Sequence, residues 1–114
     1  PFLAEEFERA GCTVHIATDD GSVGFCGNAV ELARPVLARA GDTVYACGPR
    51  PMLRALAALR PDAQISMEER MACGFGVCVG CVIPVRDESG AGFTYRKVCK
   101  DGPVFAAKEV VWDV

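Results

Sequence analysis

The chain has 114 residues, of which 51% are hydrophobic and 24% charged, with a formal net charge of −3 at pH 7. That length suits one modest domain or two small lobes, and the hydrophobic fraction excludes a disordered chain. The mildly acidic balance argues against a nucleic-acid footprint, and no apolar run approaches the ~18–20 residues that span a bilayer. Seven cysteines are present, an odd number, with no secretory signal segment. Free thiols in a reducing cytoplasm are therefore expected rather than a disulfide framework. The chain starts at Pro1 without an initiator Met, and a piece or processed product of a longer protein is expected.

Residues 1–67 read as alternating helices and strands. Leu3, Phe7 and Ala10 form a helical stripe ended by Gly11, and Cys12–Thr18 is a short apolar run of strand type. Asp19–Ser22 is turn chemistry; alone it is most simply a solvated acidic turn. A second helical pattern runs from about Asn28, a candidate N-cap, to Ala40, with Pro35 expected to kink or split it. The strand Thr43–Cys47, a helix from Pro51 to Arg60 and the strand Ala63–Met67 follow. Alternation of this kind implies a parallel sheet with crossover connections.

Residues 68–114 differ in character. A cysteine-rich loop leads to an expected hairpin, Val82–Arg86 and Phe93–Tyr95 around the turn Asp87–Gly92, with Pro84 suggesting an edge position. Val104-Phe105 and Lys108–Trp112 close the chain. The expected fold class is thus α/β: an incomplete Rossmann-like parallel sheet in 1–67, then a small β-rich lobe in 68–114.

The loop reads Cys73-Gly-Phe-Gly-Val-Cys78-Val-Gly-Cys81, and Cys99 follows, giving C-x4-C-x2-C-x17-C. Four thiolates at this spacing are the ligand pattern of a plant-type 2Fe–2S cluster. Gly74, Gly76 and Gly80 allow the backbone to wrap closely and aim amides at the sulfurs, and Phe75, Val77 and Val79 are expected to form a dry shell. A structural zinc site is the competing reading, although its usual form is a pair of C-x2–4-C knuckles. A nucleophilic cysteine has little support, because the only histidine, His15, lies in a distant apolar run. Cys12 and Cys26 have no spacing partner and read as small buried hydrophobes. A second motif, Cys47-Gly48-Pro49, ends an apolar strand, where open α/β sheets bind ligands; as a tripeptide it also fits a plain strand-to-helix turn.

Met67–Cys81 together with Val98-Cys-Lys-Asp-Gly-Pro-Val-Phe105 closely resembles the electron-transfer subunit family of NAD-dependent dihydroorotate dehydrogenase, and Ala17–Gly24 and Val44–Met52 resemble the nucleotide-binding half of the ferredoxin-reductase superfamily. The resemblance implies that Cys73, Cys78, Cys81 and Cys99 hold a 2Fe–2S cluster, and that Cys47, Gly48 and Pro49 lie near the nicotinamide and flavin rings. It implies a lobe of NAD-binding type in 1–67, a cluster lobe in 68–114, and relay of electrons from the FMN of a separate catalytic subunit to FAD and NAD+ in pyrimidine biosynthesis, with no catalytic residue on this chain. The family's FAD-binding barrel and Gly-rich pyrophosphate loop are not in this sequence. The chain alone is therefore expected to lack NADH-oxidising activity, and either to self-associate or to sit beside the missing segment. In the family's sheet order, 3-2-1-4-5, the strand at Cys12–Thr18 takes place 3, two strands away from those at Thr43–Cys47 and Ala63–Met67. Arg96, Lys97 and Lys100 flank Cys99 and are candidates to offset the cluster's negative charge, or a solvated basic turn. Alternatives within the superfamily are the flavin subunit of a ferredoxin–NADP reductase, a sulfide dehydrogenase or a hydrogenase-linked reductase. A zinc-stapled, non-redox binding domain is the alternative from another class.

Overall fold

A computed structural model describes residues 2–114; Pro1, where the chain starts, lies outside the described residues. The chain divides into two compact units, one running to Val36 and the other from Leu37 to Val114.

In the first unit, α1 (Ala4–Arg9) has Glu5 and Glu6 in its first turn and Arg9 in its last, the charge order that suits the helix dipole. It buries no residue, and Phe2 and Phe7 are exposed, so the stripe that makes this helix legible faces solvent. Of the expected strand Cys12–Thr18 only β1 (Ala17–Thr18) is regular, because only those residues find a ladder partner. That partner is β2 (Phe25–Cys26), which runs parallel to it and carries no signal in the sequence. The connecting turn keeps the Asx geometry expected there, with the Ser22 amide donating to Asp20 Oδ1 at 2.9 Å. Gly24 has φ 69°, and a Cβ on it would collide with the Ile16 carbonyl.

Helix α2 (Ala29–Leu37) begins where the sequence indicates. The Glu31 amide donates to Asn28 Oδ1 at 2.9 Å, and the Asn28 amide reaches Glu31 Oε2 at 3.5 Å, a reciprocal capping box. Pro35 is accommodated inside the helix, which ends two residues later, at Leu37 rather than Ala40.

In the second unit, β3 (Tyr45–Cys47) pairs in parallel with β4 (Gln64–Ser66), and α3 (Arg50–Leu59) makes the crossover between them. Pro51 sits in the first turn of α3, and Leu53 and Leu56 are buried from its inner face. Strands β5 (Val82–Arg86) and β6 (Phe93–Lys97) form the expected antiparallel hairpin, with Pro84 opposite Tyr95. The hairpin's second strand extends to Lys97 and turns directly into α4 (Val98–Asp101), a one-turn helix not evident in the sequence. The last strand, β7 (Val104–Ala106), leaves the hairpin and pairs antiparallel with β4, giving the sheet order β3-β4-β7. A 3-10 turn at Ala107–Glu109 follows, and Val110 bridges to Val85. Buried Ile65, Met67, Ile83, Val85, Val98, Phe105 and Val110 make the core of this unit. Parallel and antiparallel sheets thus coexist in a mixed α/β fold, and β7 ties the residues after the cysteine loop to the sheet before it. No helix among the described residues is long and apolar enough to cross a membrane.

Candidate metal centre

The cysteine loop leaves the sheet after β4 and returns into β5. Cys81, at the foot of β5, is 1% exposed, while Cys73, Cys78 and Cys99 are half-buried. Cys99 is presented by α4, whose Val98 amide donates to the Cys81 carbonyl at 3.0 Å. Two pairs of thiols result. The Cys78 amide donates to Cys73 Sγ at 3.4 Å, and the Gly80 amide to Cys78 Sγ at 3.5 Å. The Cys81 and Cys99 thiols are neighbours that act on each other's charge. Among the described residues no three His, Cys, Asp or Glu side chains close around a single ion.

The loop's amides shape its electrostatics. The Cys78 amide, then that of Phe75, lower the Cys73 thiol to about 6, with a smaller contribution from the Val77 amide. The Cys99 amide, then the Cys99 thiol, hold Cys81 below the usual thiol range. The adjacent Cys81 thiol, then burial, push Cys99 up, while the Gly76 amide pulls it the other way. Inward amides, all-sulfur donors and thiols set in pairs fit a group that needs two thiolates on each of two irons. A structural zinc would require all four around one ion.

Phe75, Val77 and Val79 do not form the expected dry shell: they are 72%, 75% and 71% exposed. Gly74 and Gly76 both have positive φ, and the tightly wrapped backbone turns its amides toward the sulfurs and its side chains away from them. Met71, 49% exposed, extends the apolar rim. Of the three basic residues near Cys99, Lys97 donates from Nζ to the Gly76 carbonyl at 2.6 Å, and the Lys100 stem packs over Gly76. Strand alternation turns Arg96 to the opposite face from Lys97, beside Arg86 and Glu109.

Cys47, Gly48 and Pro49 lie at the carboxyl end of β3, leading into α3. Cys47 is exposed, and its thiol faces Glu68 Oε1 at 3.6 Å. A Cβ on Gly48 would collide with the Met52 methyl. Arg50 pairs with Glu69 at 3.3 Å and lies 5.9 Å from the Trp112 ring. Glu68 and Glu69 were not singled out in the sequence. The signal was available, since they directly follow a strand parallel to β3 and so must share its carboxyl edge. Cys12 and Cys26 are exposed rather than buried. Turn backbone, not a core, surrounds Cys26, whose thiol faces the Asp19 carbonyl at 3.5 Å.

Residues 68–111 match the family model of the iron–sulfur cluster binding domain of dihydroorotate dehydrogenase B. This segment belongs to that family. The chain as a whole is a relative of the electron transfer subunits of dihydroorotate dehydrogenase B (NAD(+)). It is 45% identical to that of Caldanaerobacter subterraneus over 115 residues, covering 97% of this chain and 45% of the relative. It is 50% identical to that of Bacillus caldolyticus over 114 residues, covering 96% and 42%. With the Listeria monocytogenes subunit it shares 46% over 111 residues, again 96% and 42%. The chain therefore spans less than half the length of these relatives. Among solved structures, a chain from the NADH-dependent reduced ferredoxin-NADP oxidoreductase, described for flavin-based electron bifurcation, aligns at TM-score 0.70 and 26% identity, covering 96% of this chain and 39% of its own.

Proposed function

We propose that this chain is the cluster-bearing part of an electron-transfer subunit. Within that subunit it would relay electrons from the FMN of a dihydroorotate dehydrogenase catalytic subunit to FAD and NAD+, in the cytoplasm, for pyrimidine biosynthesis. The carrying observation is the three-cysteine loop joined by Cys99 of α4, with amides donating to the Cys73 and Cys78 sulfurs, in the segment that matches the cluster-binding family. Cys73, Cys78, Cys81 and Cys99 hold a 2Fe–2S cluster, which when bound takes up and releases one electron at a time. The loop amides stabilise the thiolates, and buried Cys81 with Ile83 and Val98 keeps water from the inner side. Cys47, Gly48 and Pro49, at the carboxyl edge of β3, form one wall of a nicotinamide site, with Glu68 orienting the Cys47 thiol. Residues 1–67 then serve as part of a nucleotide-binding lobe of ferredoxin-reductase type and 68–114 as the cluster lobe.

Anaerobic loading tests this. About two irons and two sulfides per chain are expected, lost in Cys78→Ser and kept in Cys12→Ser, Cys26→Ser and Cys47→Ser. Stoichiometric zinc without visible absorbance would overturn the reading. A second reading, a subunit of a ferredoxin–NADP reductase, is favoured by the similarity to the NADH-dependent reduced ferredoxin-NADP oxidoreductase. The two separate by electron source: dihydroorotate with its catalytic subunit, or reduced ferredoxin, whichever bleaches the cluster's absorbance.

A further inference from the structure

Lys97 clamps the cysteine loop near its midpoint. Its Nζ donates to the Gly76 carbonyl at 2.6 Å. Gly76 lies between Cys73 and Cys78, and the Cys78 amide donates to the Cys73 sulfur at 3.4 Å. A cation on the Gly76 carbonyl fixes the orientation of this stretch of backbone and polarises its peptide groups. Lys97 is itself fixed from behind. Its amide donates to Asp101 Oδ2 at 2.7 Å, and it is the last residue of β6, opposite Val82. Gly76 has φ 92°, and a Cβ there would press on the Lys100 stem; the loop can reach Lys97 only with glycine at this position. Among the described residues, no other side chain from outside the loop donates a hydrogen bond to the backbone of residues 74–80.

We propose that Lys97 is a positioning residue for the cluster: by clamping the Gly76 carbonyl it holds the turn that keeps the Cys78 amide on the Cys73 sulfur, and thereby sets the reduction potential and the tightness with which iron is retained. This rests on the reading that the four cysteines hold a cluster. Amide hydrogen bonds to cluster sulfurs and nearby positive charge both favour the reduced, more negative state. Removing Lys97 therefore moves the potential downward.

The experiment compares wild type, Lys97→Met, Lys97→Arg and Lys100→Met, each loaded anaerobically. Redox titration, the electron paramagnetic resonance spectrum of the reduced protein and the rate of iron release to a chelator are measured. Lys100→Met removes an equal charge from α4, beside the same loop, while keeping an apolar stem, so it reports charge alone. The expected result is a lower potential, an altered spectrum and iron release faster by about 10-fold in Lys97→Met, the scale on which partners of metal ligands act. Lys97→Arg should stay close to wild type, and Lys100→Met should shift the potential less and leave the spectrum unchanged. A loaded wild type with Lys97→Met indistinguishable from Lys100→Met would overturn this proposal alone. A wild type that takes up zinc instead of iron would remove the cluster reading and this proposal with it.

Discussion

Arg60 gathers acceptors that the chain would otherwise leave to solvent. Its guanidinium donates to the carbonyls of Leu37, Arg39 and Asp42 and, through two bonds of 2.8 and 2.7 Å, to the Asp62 carboxylate. The Leu37 carbonyl ends α2, where an arginine is a favourable cap. The fork to Arg60 holds Asp62 at about 2, below the ~3.9 of an unfolded aspartate. A depressed folded-state value means that the pair's stabilisation is complete above about pH 4 and is lost as pH falls toward 2. In Arg60→Met the Asp62 midpoint should rise into the ordinary carboxylate range, and the loss of melting temperature across that window should flatten. An Asp62 midpoint unchanged by NMR titration would refute the assignment. At this scale the sequence displayed donor types but not their partners. The four cysteines were legible because covalent spacing restricts which thiols can meet. Lys97 with Gly76 was not, since that pair joins residues 21 apart that only the folded hairpin brings together; Glu68 beside Cys47 was legible only by setting two parallel strands side by side.

Helices announced themselves through their ends. Asn28 and Glu31 carry a cap signal that needs no tertiary contact, and the structure has it. Asn28→Ala should therefore destabilise α2 by ~1 kcal/mol, with faster hydrogen exchange at the Ala29, Val30 and Glu31 amides, while Asn28→Asp should retain the cap. Equal exchange in wild type and Asn28→Ala would rule the cap out. Strands were harder. Phe25–Cys26 has no alternation to read, and Cys12–Ile16 has the composition of a strand but no ladder. A strand is defined by its neighbour, and the neighbour is not written in the segment itself. The same holds for β7, whose place beside β4 could not be read from Val104-Phe105. Phe105 is 8% exposed, faces Ile65 across the pair and packs against Gly102. Phe105→Ala should cost about 3–5 kcal/mol in a denaturant titration. A change below about 1 kcal/mol, the scale of a surface substitution, would mean that β7 is peripheral.

For the molecule as a whole, the apolar rim of Phe75, Val77, Val79 and Met71 gathers four large exposed side chains on the one loop that carries Cys73, Cys78 and Cys81. Under the proposed function that rim meets the dehydrogenase catalytic subunit, because one-electron exchange needs the cluster close to the partner's flavin. Phe75→Ser with Val77→Ser should leave iron content intact and weaken co-elution with the catalytic subunit by at least about 10-fold, since central apolar residues carry most of an interface's energy. Unchanged co-elution would place the contact elsewhere. The alternation of helices and strands gave the mixed α/β class from sequence. The β4–β7 pairing could not be foreseen, because it depends on where a long excursion returns.

That return has a kinetic meaning. Met67 donates to the Pro103 carbonyl at 2.9 Å and Ser66 pairs with Val104, so residues 67–103 leave the sheet and rejoin it at adjacent rungs. All four cysteines lie inside this one closed excursion. Bringing its ends together is a non-local step whose entropy is lost before any contact repays it. Cys99, near the far end, meets Cys81 only once the hairpin and α4 have formed. Under the proposed function, cluster loading is then the last clasp on an already folded strap, and the expected order of assembly runs from sheet to hairpin to iron. In a refolding experiment, burial of Phe105 should precede development of the visible absorbance, and excess iron and sulfide should leave the earlier phase unaccelerated.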